Sequence, residues 1–137
     1  MEDTRPFGVK LTIAFLLLDA AEKAGRIGLM MWRPDRYGSP HILGETLGEA
    51  LGHGIVVAFC LLLAAQLLLG TNFGRIWAAL YFSAASGLTI AYLAFLDPGH
   101  WVELGPTGRA LQVATVAIDL SFAAYLVSSR ARAALAS

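Results

Sequence analysis

The sequence predicts an all-α, polytopic membrane four-helix bundle, and three observations carry that expectation. Hydrophobic residues make up 57% of the chain and charged residues only 15%, well below the roughly 25% charged content of an ordinary soluble domain. Three apolar runs approach the length, about 20 residues, that a helix needs to cross a hydrocarbon layer of about 30 Å. Turn and breaker residues separate them: Gly70-Thr71-Asn72, then Asp97-Pro98-Gly99 and Gly105-Pro106. With 137 residues there is room for one domain, here a single transmembrane domain with spans at about 7–32, 42–69, 74–96 and 107–128.

The first span needs the most argument. Phe7 to Leu18 is apolar, Asp19, Glu22, Lys23 and Arg26 interrupt, and Ile27 to Trp32 is apolar again. A secretory leader would have a basic start, a short apolar core and a small-residue cleavage site; this segment is instead expected to remain in the chain as a span. Its four charges fall at i, i+3, i+4 and i+7, one narrow stripe on a helix. Asp19–Lys23 and Glu22–Arg26 are i,i+4 pairs with the acid on the N-terminal side, the better orientation. A single helix with a self-neutralised stripe fits, ended by Arg33-Pro34.

The second span begins HILGETLGEALGHG, with Gly44, Gly48 and Gly52 in one row and Glu45, Glu49 and His53 beside it. Between membrane helices, association depends on close packing and interhelical hydrogen bonds, which small residues permit. The glycine row and the small residues Ala20, Ala24 and Gly28 of the first span are therefore expected to form a tight antiparallel hairpin. Ser83, Gly87 and Ala91 give the third span a similar ridge.

Trp32 and Trp101 fall at one interface and Trp77 at the other, as an aromatic belt requires. Four spans put both termini on one side, with Arg5, Lys10, Arg75, Arg130 and Arg132. Arg33, Arg36 and Arg109 lie opposite. The bias favours cytoplasmic termini in the cell (inner) membrane.

The expected polar intramembrane cluster is Asp19, Glu22, Lys23, Arg26, Glu45, Glu49, His53 and Asp119. An ionised side chain at mid-bilayer costs about 3 kcal/mol even on the lenient insertion scale. The carboxylates must therefore be paired, protonated, hydrated or metal-bound. The structural reading is an ion-pair network, Lys23 and Arg26 with Glu45 and Glu49, that sets helix register. A proton or ion pathway would use raised-pKa carboxylates and water. A metal site would draw on Glu45, Glu49 and His53 with Asp19 or Glu22, although the Glu-x-x-His spacing of helix-bundle carboxylate sites is absent.

Other chemistry finds little support. Cys60 is the sole cysteine, which excludes an internal disulfide and any multi-cysteine metal site. Ten basic residues balance ten acidic ones, so no global field attracts nucleic acid. His41 and His100 are expected at a rim, at a different depth from His53, which argues against a haem held by two histidines. Nucleophile arrangements and phosphate-cradling glycine loops are missing. Ser83, Ser86 and Thr89 are expected to hydrogen-bond back to their own helix.

Three short stretches carry a resemblance: Arg5-Pro6-Phe7-Gly8-Val9, Gly74-Arg75-Ile76-Trp77-Ala78 and Ser129-Arg130-Ala131-Arg132-Ala133. The layout resembles a loose group of uncharacterised small prokaryotic four-helix membrane proteins. That resemblance implies topology and no activity. The resulting expectation is a non-catalytic integral membrane subunit or interaction protein, with lipid and other membrane subunits or itself as partners. The alternative is a proton- or cation-coupled transporter or channel formed by homo-oligomerisation, and a lesser one a membrane metal- or pigment-binding protein; no particular cofactor is indicated.

Overall fold

In a computed structural model, residues 5–32 and 43–135 are described, with side chains from residue 47 onward in the second of these stretches. The chain is helical almost throughout, and no strand occurs among the described residues. Four long helices follow one another: α1 (Phe7–Trp32), α2 (Leu43–Leu68), α3 (Asn72–Ala91) and, after a short α4 (Pro98–Glu103), α5 (Gly105–Val127). A last short helix, α6 (Ser129–Ala134), follows. Three stretches are long and apolar enough to cross a membrane: 47–68, 72–96 and 105–127. The helix α1 is unbroken over 26 residues, but Lys10 and the stripe of Asp19, Glu22, Lys23 and Arg26 keep it from matching their apolarity. His41, Arg33, Pro34 and Arg36 lie outside the described residues.

Local chemistry explains each break. Gly70, at φ 75°, ends α2 in a Schellman motif. The Thr71 amide donates to the Gln66 carbonyl at 3.0 Å and the Gly70 amide to the Leu67 carbonyl at 3.1 Å. Thr71 then caps α3, its hydroxyl accepting from the Gly74 amide at 3.1 Å. Gly74 is an obligatory close approach, since a Cβ there would sit 2.6 Å from Gln66 Cβ and 2.9 Å from its backbone carbon. At the other end of α3, Pro98 offers no amide and pushes Asp97 out of the helical region, to φ −143° and ψ 72°. The preceding turn, Tyr92–Leu96, widens to a π-helix, closed by the Asp97 amide on the Tyr92 carbonyl at 2.9 Å. The Asp97 carboxylate caps α4 through the His100 amide at 3.0 Å. Arg109 ties α5 back to α4, donating to the carbonyls of Trp101 and Val102 at 2.7 and 2.9 Å and lying over the Trp101 ring.

The helices pack as two pairs, α1 on α2 and α3 on α5. In the first pair, buried positions recur every three or four residues. Val9, Ile13, Leu16 and Ala20 on α1 meet Cys60, Ala64 and Leu67 on α2, a seam of the kind that runs along left-handed helix pairs. The expected close pairing of these two helices is present, but its glycine seam is corrected. Added Cβ atoms at Gly48, Gly52 and Gly28 would meet nothing within 4 Å, and Ala24 is exposed. At 100° per residue, Gly48 and Gly52 lie roughly 80–120° around α2 from Cys60. The helix turns to bury its aliphatic row, Leu63 and Leu67 included, and the glycines are carried to the outside. Gly44 lies outside the residues whose side chains are described.

The two pairs meet in the half of the protein that holds the termini, as far as the middle of α1, where Tyr81 reaches Asp19. There Phe15 stacks on Phe122 at 4.8 Å between centroids and Phe122 on Phe82 at 5.2 Å. Gly8 lies so close to Tyr125 that a Cβ would come 2.3 Å from the ring. Arg75, placed by sequence among the interfacial cations, is instead 7% exposed. Its Nη1 donates to the Leu126 carbonyl in the last turn of α5, and its Nε to Asn72 Oδ1, each at 2.8 Å. A cation there satisfies a helix-end carbonyl and complements the helix dipole. The short helix α6 folds over the same end and buries Ala131 and Leu135.

These contacts separate the glycines that pack from those that do not. Gly74→Ala is expected to destabilise the protein by about 1–3 kcal/mol through overpacking, whereas Gly52→Ala should change it by less than about 0.5 kcal/mol. Reversible unfolding in mixed micelles checks both. Arg75→Met, which leaves the Leu126 carbonyl unpaired in a buried site, should cost about 1–3 kcal/mol in the same assay.

Candidate functional site

Away from the termini the two helix pairs diverge, and a cleft of about 710 Å³ opens between them. Phe15 and Phe82, each packed against Phe122, line its floor. One wall is α1, with Leu18, Asp19, Glu22 and Lys23. The facing wall is α5, with Thr115, Ile118 and Asp119. The back is α3, with Tyr81, Ala85 and Thr89. One turn of α5 separates Phe122 from Ile118 and Asp119, so the aromatic that closes one half sets the carboxylate at the entrance to the other.

Asp19 is the most connected group in the cleft. One carboxylate oxygen, Oδ2, accepts from the Tyr81 hydroxyl and from the Cys60 thiol, whose sulfur is 3.7 Å away. Its Oδ1 lies 3.5 Å from Lys23 Nζ. Helices α1, α2 and α3 thus converge on one side chain. Further along the stripe, Glu22 pairs with Lys23 and Arg26. Asp119 differs from these. It lines the facing wall, and no ion pair or hydrogen bond holds its side chain among the described residues.

The expected polar cluster is therefore divided. Asp19, Glu22, Lys23 and Asp119 share one cleft, with Arg26 just beyond it. The ion-pair network across the first two helices is corrected at Glu49. Lys23 and Arg26 find their acids one and four residues away on α1, and Glu49 is exposed. An i,i+4 partner on the same helix is in reach without any helix-helix register, so the local pairs form first. His53 is half-buried on the same face of α2 as Cys60, away from the cleft. Glu45 lies outside the residues whose side chains are described. Among the described residues no three His, Cys, Asp or Glu side chains gather as metal ligands.

Sequence reasoning did not join Tyr81 and Cys60 to Asp19. A signal existed for Tyr81: a phenol deep in an apolar span needs a hydrogen-bond partner, and Asp19 is a carboxylate at comparable depth. Of the three hydroxyls expected to bond back to α3, Ser83 does so, to the Ala79 carbonyl at 2.8 Å. Ser86 is buried with its Oγ unpartnered among the described residues, and Thr89 lines the cleft. His100 sits in the first turn of α4 with its ring edge-on to Tyr92.

The fold and the cleft together define an all-helical protein of membrane character with a polar-sided opening between its helix pairs. No protein-family model matches the chain, and no curated protein or solved structure matches it significantly.

The convergence on Asp19 is testable by a double-mutant cycle. Asp19→Asn and Tyr81→Phe, unfolded singly and together in micelles, should show a coupling of about 1 kcal/mol, within the range found for hydrogen bonds between membrane helices. The exposed Glu49, substituted to Gln, should change stability by less than about 0.5 kcal/mol.

Proposed function

We propose that this chain is a non-catalytic integral membrane subunit or interaction protein, with four membrane-crossing helices and both termini on the cytoplasmic side of the cell membrane. The observation that carries this reading is the small share of apolar helix that the chain covers for itself. Only 22%, 17% and 17% of the most apolar stretches of the three candidate spans are buried within the protein. Leu51, Ile55, Leu88 and Phe95 are each about 70% exposed or more. Such a surface needs lipid or another membrane protein against it.

Depth grading along α1 supports its crossing as the fourth span. Arg26 lies about 9 Å along the helix from Trp32, and Asp19 about 20 Å. Side-chain exposure is 58% at Arg26, the charge nearest Trp32, against 41% at Glu22, 25% at Lys23 and 34% at Asp19. The outer cation can snorkel to the interface, while the deeper carboxylate has its hydrogen bonds from Tyr81 and Cys60.

Mild-detergent extraction from native membrane, followed by native mass spectrometry, tests the assignment. The expected result is a mass above that of one chain, including a second polypeptide. A single chain at every detergent concentration tried would overturn it. Cation-coupled transport remains a second reading because the cleft carries Asp119 free of any partner among the described residues. It predicts cation-driven uptake in proteoliposomes that is lost in Asp119→Asn.

A further inference from the structure

The cleft has an unequal chemistry that bears on what can occupy it. Its lining holds three carboxylates, Asp19, Glu22 and Asp119, and one ammonium, Lys23. Arg26, just outside, pairs with Glu22, so the α1 stripe of Asp19, Glu22, Lys23 and Arg26 is neutral in sum. One negative charge is left over, on Asp119. Everything else around it is apolar or a neutral hydroxyl: Phe15, Phe82, Val56 and Ile118, with Tyr81, Thr89 and Thr115. A volume of about 710 Å³ is within the range, roughly 300–1,000 Å³, that holds a drug-sized organic molecule.

We propose that the cleft between the two helix pairs is a binding site for a lipophilic organic monocation, such as an amine or quaternary onium ion with an apolar body. Asp119 is the counter-ion, and Phe15 and Phe82 form the floor against which the apolar part rests. The charge count sets the valence at one. The aromatic floor suits an onium ion, because ring faces attract diffuse cations. A hard divalent ion is disfavoured, since it needs several converging oxygen ligands, and among the described residues no three acidic, histidine or cysteine groups converge closely enough to hold a metal ion. An apolar neutral ligand would leave Asp119 without a counter-charge at a depth where that is costly.

This goes beyond the interaction-protein reading and does not depend on it; a single species in the mass measurement would leave it intact. The test is equilibrium dialysis of labelled tetraphenylphosphonium against the purified full chain in lipid nanodiscs, with empty nanodiscs subtracted. The isosteric anion tetraphenylborate serves as the charge control. Saturable binding of the cation at about one site per chain, without saturable binding of the anion, is expected. Asp119→Asn should weaken it by about tenfold or more, equivalent to about 1.4 kcal/mol. Ala85→Phe, which fills the back of the cleft and changes no charge, should weaken it as well, with helicity and elution volume retained as the check on folding. Equal binding of anion and cation, or a cation affinity unchanged by both substitutions, would overturn the proposal.

Discussion

A carboxylate placed within a helix that packs against apolar neighbours has to be satisfied, and Asp19 organises much of this molecule through that requirement. It takes a hydroxyl from α3, a thiol from α2 and an ammonium from its own helix. The two donors from neighbouring helices, the Tyr81 hydroxyl and the Cys60 thiol, both reach Oδ2, and satisfying them constrains the rotation of α1 about its axis. With that rotation set, Leu16 and Ala20 face the core while Glu22 and Lys23 face the cleft. An unmade hydrogen bond in such surroundings costs about 1–3 kcal/mol, enough to select one rotation over its neighbours.

The two halves of the structure are built differently because their residues are. Near the termini, aromatic and aliphatic side chains interlock: Phe15 with Phe122, Gly8 with Tyr125, and Gly74 with Gln66. Gly70 and Thr71 close the α2–α3 turn with hydrogen bonds that leave no room for slippage, and Arg75 clamps the end of α5. Toward the opposite end the cleft is bordered on α1 by Asp19, Glu22 and Lys23, whose charges are paired along their own helix, and on α3 by the small residues Ala84 and Ala85. The pairs diverge there and a cleft results. Closure at one end and chemistry at the other follow from one uneven distribution of side-chain volume.

Much of this was legible in the chain. The helical class, the breaks at Gly70, Pro98 and Gly105, and the unbroken course of residues 7–32 follow from apolar run length and from residues whose backbone preferences are local. The i,i+4 pairs of α1 were equally readable, because both partners belong to one helix. Which face of α2 meets α1 was not. Three glycines in strict register and an aliphatic row on Cys60, Leu63 and Leu67 lie on the same helix, and only the balance of burial between them decides. Tyr81 on α3 and Asp19 on α1 are far apart in sequence, and nothing local links them.

What the sequence determined by itself, then, was each helix, its ends and its polar stripe, since those rest on interactions spanning four or five residues. Tertiary structure alone decided that Arg75 is buried, that Asp19 joins three helices, and that Asp119 stands on the wall of a cleft with no partner among the described residues. The physical reason is that a helix presents every face equally in its sequence. Which of those faces is turned inward depends on the volume and hydrogen-bonding groups of helices dozens of residues away.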